Sequence, residues 1–141
     1  MNQTAPALDD QTFVTAFEDL TLPASAFRHA DHVRLARLYL LDQPLPAAMT
    51  RFADGLKRFA TNLGKTEKYH ETITYAFIVL VNERLERTGR DTDWSTFRAA
   101  NPDLFDYPNP VLDQLYRPET LGSAFARRVF VLPDARAAAS A

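Results

Sequence analysis

Residues 46–64, PAAMTRFADGLKRFATNLG, carry Met49, Phe52, Leu56, Phe59 and Leu63 at steps of three, four, three and four. That spacing returns to one side of a helix with about 3.6 residues per turn and scatters over both faces of a strand, so the stretch reads as an amphipathic helix with a narrow apolar seam. Pro46 stands near the first helical position, where its missing N–H costs little. Gly64 stands where a left-handed residue commonly closes a helix. The seam reads as core with no chemistry of its own. It either packs within the chain or supplies a homodimer face.

Working outward, Phe13, Phe17 and Leu20 share a face of a first helix over 10–20, capped by Asp9 or Asp10. Pro23 marks a connection, and a second helix over 27–41 ends before Gln43-Pro44. On the other side, a helix from Thr66 to about Arg87 stops at Gly89; it is apolar nearly all round and is expected to be central. Asp93 caps WSTFRAA, and Asn101-Pro102 and Asn109-Pro110 each open a further short turn. ETLGSAFARRVFVLP reads as partly helical with an extended end over 129–132, and Ala135 to Ala141 as a flexible C-terminal tail. The expectation is an all-α chain: a single-domain helical bundle over 1–134 with about four main helices and short C-terminal ones.

A chain of 141 residues, 46% hydrophobic and 24% charged, has the composition of one globular domain. At this size a core forms without a metal or disulfide staple, so any metal would be functional. A net charge of −2 argues against a general nucleic-acid binder, which needs a basic face. The absence of cysteine removes disulfides, thiolate metal sites and cysteine nucleophiles, leaving imidazole, carboxylate and hydroxyl chemistry. MNQTAPALDDQTF shows no secretory pattern, and the longest apolar run, Tyr75 to Val81, is far short of the ~20 residues of a membrane span. A cytoplasmic protein with no membrane partner is expected.

All three histidines fall in two segments, FRHADHVRLARLYL (27–40) and KYHETIT (68–74). At about 100° per residue, His29, His32, Val33, Ala36, Tyr39 and Leu40 share one helical face, opposite Asp31, Arg34 and Arg37, and Ala36 leaves room beside the imidazoles. His70 falls with Thr74, Phe77, Val81 and Leu85, with Glu71 on the flank. If the second and fourth helices run in the same sense, one interior cavity holds His29, His32, His70 and Glu71. That set suits a divalent ion such as Zn²⁺, Fe²⁺ or Mn²⁺, with Glu71 as fourth ligand or general base acting on a small-molecule substrate. HxxH is a weak motif alone. The alternatives are a metal-free acid–base site using the histidines and Glu71, or a non-catalytic ligand- or partner-binding domain whose histidines complete a core network. Tyr69 is placed to line the cavity mouth. Thr72 and Thr74 read as packing residues, Thr74 also as a partner orienting His70. Of Arg127 and Arg128 one at most faces inward, where Arg128 would take an anionic substrate group; otherwise the two form a solvated pair. Tyr75, Tyr107 and Tyr116 read as core or interface aromatics.

The segments F-x-H-x-x-H-V-R-L-A-R-L-Y-L, K-Y-H-E-T-I-T, N-P-D-L-F and A-R-x-x-F-V-x-P-D resemble, in this order, a group of small bacterial proteins without an assigned function. The resemblance covers 27–134 and implies a single domain and a shared purpose for the two histidine segments. The later HxxxH pair of DinB-like metal proteins and the His-Asp dyad of HD phosphohydrolases are both missing.

Overall fold

Asp9 starts the first helix, α1 (Asp10–Glu18), by accepting the Thr12 N–H at 2.8 Å. Phe13 and Phe17, one turn apart, bury the face it turns inward. The helix stops two residues earlier than the apolar spacing predicts, because Leu20 takes a φ of 68° and reverses the chain. A left-handed leucine costs roughly 1 kcal/mol, offset here by burial of Leu22, the N–H of which bonds back to Ala16 O. The computed structural model describes residues 8–106 and 110–135, and all its regular elements there are helical.

Helix α2 (His29–Asp42) follows a 3₁₀ turn at Ala24–Ala26 and is opened by the Asp31 carboxylate, which reaches back to the Arg28 N–H. Helix α3 (Leu45–Asn62) ends in a turn at Gly64, which has a φ of 70°. Helix α4 (Glu71–Thr88) is preceded by a 3₁₀ turn at Thr66–Lys68 and buries seven side chains from Thr72 to Leu85, as expected of a central helix. Helices α2, α3 and α4 pack pairwise. Helix α1 crosses α3 at Gly55, where a Cβ would sit only 2.7 Å from the Phe17 ring. A network ties the three N-terminal helices: the buried Tyr39 donates to Glu18, and Arg51 lies over the Tyr39 ring and donates to the same carboxylate oxygen. The starts of α2 and α4 adjoin, since the His29 ring lies 5.6 Å from Phe77; their ends adjoin as well, since Arg90 donates to Leu40 O. The two helices therefore run in the same sense.

Short elements complete the chain: α5 (Trp94–Ala100), a 3₁₀ turn (Pro102–Phe105), α6 (Pro110–Asp113), α7 (Pro118–Leu121) and α8 (Ala124–Arg128). Asp93 caps α5 as expected, and Asn101 is buried, bonding Thr88 Oγ1 and Phe97 O while accepting from Arg84. One expectation fails here. The helical projection puts Arg37 outside, but α5 folds across it: its side chain is 6% exposed, its guanidinium donates to Thr92 O at 2.6 Å, and Trp94 and Phe97 lie against it. A single helix's periodicity cannot register an element that packs over its outer face. At the other end, the buried Thr72 hydroxyl donates toward Ala126 O (2.7 Å) and Val129 O (2.9 Å) and accepts the Val131 N–H, fastening α8 and the extended 129–132 segment to α4. Tyr75 meets Phe130 edge-on and Tyr116 is buried, its hydroxyl donating to Val131 O. Ala135 N–H bonds Leu115 O. The expectations for Tyr107 and for the remainder of the tail lie outside the described residues. Among the described residues no helix is long and apolar enough to cross a membrane.

Candidate functional site

The chain reaches α4 through Tyr69 in an extended conformation, and this orients His70 as the residue before the helix rather than one within it. From there Nδ1 of His70 accepts the Ile73 N–H at 3.1 Å, capping α4. A nitrogen that accepts carries no proton, so Nε2 is the protonated one, and it donates to Leu121 O at 2.7 Å. Both ring nitrogens are engaged, and burial, the largest influence, holds the pKa below the usual histidine range. The Thr74 hydroxyl donates to the His70 carbonyl at 2.7 Å, so Thr74 steadies the backbone of His70 and not its ring.

His29 is the first residue of α2, and its Nε2–H donates to Leu104 O at 2.8 Å. His32, one turn on, is placed differently. Its ring stacks on Phe27 with centroids 4.1 Å apart, and neither nitrogen has a hydrogen-bonding partner among the described residues. Desolvation, aided by the nearby His29, drops its pKa to about 4, so the ring is neutral at pH 7.

The three imidazoles converge on one cavity of about 670 Å³ between the starts of α2 and α4. This volume lies inside the range of about 300–1,000 Å³ usual for small-molecule sites. Phe52, Leu56 and Phe59 of α3 with Leu63 just beyond it form one wall, Phe27 and Phe77 flank the histidines, and Leu112 of α6 with Leu121 of α7 close it from the C-terminal side. Tyr69 and Thr74 also line it, as the sequence suggests. Ala36 does not; it is fully buried in the core. The α3 seam is thus only partly core, and its middle faces a hollow.

Glu71 and the arginines stand elsewhere. Glu71 is outside the cavity lining, accepting from the Tyr69 hydroxyl at 2.7 Å and facing Lys57 at 3.6 Å. Desolvation and that bond to Glu71 push the Tyr69 pKa up. Arg127 is exposed, its guanidinium donating to Glu67 O and Tyr69 O. Arg128 is exposed beside Phe125, with no part in the cavity. Among the described residues no group of three or more His, Cys, Asp or Glu side chains is placed to hold a metal ion. Of the expected ligands, His70 engages both nitrogens with the backbone, His29 donates its Nε2–H to Leu104 O, and Glu71 pairs with Tyr69 and Lys57.

Comparison with known protein families, curated proteins and solved structures finds no match.

The chemistry within reach of the cavity is accordingly that of its walls. A neutral imidazole offers one hydrogen-bond donor and one acceptor to a bound molecule. As a general base, a group with a pKa near 4 has little driving force for taking a proton at pH 7, and among the described residues no carboxylate lines the interior to act with it. The arrangement suits recognition better than proton transfer.

Proposed function

We propose that this protein binds a small, largely apolar organic molecule in the cavity between α2, α3 and α4, with His32 as the polar group that meets it. The observation that carries this reading is the state of His32: a half-buried imidazole that lines an aromatic hollow and makes no hydrogen bond to a described residue. A bound molecule with one hydrogen-bonding group would find on this ring one donor and one acceptor not engaged by a described residue. The phenylalanines supply the larger share of affinity by burying apolar ligand surface, while the imidazole fixes orientation. His29 and His70 hold the site open by tying the 3₁₀ turn at Leu104 and α7 at Leu121 to the helix starts.

The test is titration with the neutral fluorophore N-phenylnaphthylamine, whose emission rises in apolar surroundings. The expected result is saturable binding at one site per chain, lost in Leu56→Trp, whose indole would fill the cavity, with helicity by circular dichroism unchanged. Absence of saturable binding, or full binding by a folded Leu56→Trp variant, rejects the reading.

A further inference from the structure

The geometry points to an amphipathic monocarboxylate as the ligand class, with its apolar body among the phenylalanines and its carboxylate at the cavity mouth between Lys65 and Lys68. This rests on the binding reading above and adds the polarity and charge of the ligand.

The lining residues divide by exposure. Phe27, Phe52, Phe59, His70, Phe77 and Leu112 are buried and form the interior. Ala24, Lys65, Lys68 and Asp113 are exposed and form the mouth. Among the described lining residues the lysines and the carboxylate therefore stand at the rim. Lys65 and Lys68 sit on the short connection between α3 and α4 and belong to one turn, joined by the Lys68 N–H to Lys65 O bond. Neither makes an ion pair with a described residue, whereas nearby Lys57 is committed to Glu71. Asp113 is the only carboxylate among the described lining residues. Two cations against one anion leave a rim with one net positive charge, matched to a monoanion rather than a dianion. Arg127, bonded to Glu67 O and Tyr69 O, adds positive potential behind the lysines, partly offset by the exposed Glu67 carboxylate on the same turn.

The interior requires the other end of the molecule to be uncharged. An ion placed among the phenylalanines would lose its hydration. His32 resists becoming the counter-cation because desolvation already disfavours its charged form. A carboxylate outward and a ring or chain inward satisfies both regions at once.

Three probes of one shape separate the outcomes: naphthaleneacetate, its methyl ester and naphthylmethylamine, titrated by calorimetry into the intact chain at low and high salt. The acid is expected to bind about threefold to tenfold more tightly than the ester at low salt, the gap closing at high salt, since each exposed ion pair contributes modestly. Lys65→Gln with Lys68→Gln should bring the acid to the affinity of the ester and leave the ester unchanged. Equal binding of acid and ester, or tightest binding of the amine, overturns the charge assignment while the cavity reading stands. Failure of all three probes to bind overturns both.

Discussion

Replacing His70 tests whether that imidazole is part of the frame of the site or a ligand within it. His70→Ala removes the cap on α4, worth about 1 kcal/mol, and strands the Leu121 carbonyl, which costs about 1–3 kcal/mol where water does not replace the donor. The expected loss is therefore about 2–4 kcal/mol. In urea, with a slope near 2 kcal/mol per molar for a domain of this size, the midpoint should fall by about 1–2 M. His70→Asn separates the two contributions. Asparagine is among the best capping residues but is too short to reach Leu121, so it should recover about 1 kcal/mol of the loss. The reasoning is refuted if His70→Ala stays within about 0.5 kcal/mol of the parent, or if asparagine is no better than alanine. A zinc-dependent rise in the parent's midpoint that His70→Ala abolishes would also refute it, by showing His70 acting as a metal ligand.

Three further outcomes are expected. His32 is neutral in the folded chain down to about pH 4, whereas in the unfolded chain it takes a proton below its ordinary 6.5. Stability should thus be level above about 6.5 and decline as pH falls toward 4, by at most about 3 kcal/mol from this group, with His70 acting in the same direction. His32→Leu should flatten that part of a stability–pH curve, and an unchanged slope would contradict the assignment. Gly55→Ala would press a methyl into the Phe17 ring at 2.7 Å and should cost about 1–3 kcal/mol by thermal denaturation; a neutral effect would mean that α1 shifts freely on α3. Thr72→Val removes the hydroxyl shared by Ala126, Val129 and Val131, which should cost about 1–3 kcal/mol and speed proteolysis between α8 and the C-terminus. Cleavage at the parent's rate would argue against Thr72 as the fastening.

The sequence carries most of the helical layout because caps and periodicity are local. Asp9, Asp93 and the turn at Gly64 act on residues within a few positions of themselves, and the structure places them where the pattern predicts. What lies beyond a helix face is not local. The α3 seam correctly faces inward, but whether Phe52 and Phe59 meet protein or an empty volume depends on how far α2 and α4 stand apart, a quantity no single helix encodes. The same limit hides Arg37 beneath α5 and carries Leu121, some fifty residues away, to the ring of His70. The two histidine segments do share one cavity, as their inward projections suggest. Their roles differ within it because neighbours claim the nitrogens of His70 and leave those of His32 open, and such neighbours are invisible to spacing. Glu71 follows the same logic: its place on the flank is legible, whereas the Tyr69 hydroxyl that holds it away from the cavity is set by the turn before α4.

The most direct test of the account is proton NMR of the three histidine rings during titration with N-phenylnaphthylamine. The His32 ring signals are expected to shift most, through ring currents and a new hydrogen bond, and to saturate at one ligand per chain. The His70 signals should move little, because both nitrogens stay engaged. Largest shifts at the exposed apolar residues Phe125, Phe130 and Leu132, with His32 unmoved, would contradict it by placing the ligand on the surface rather than in the cavity.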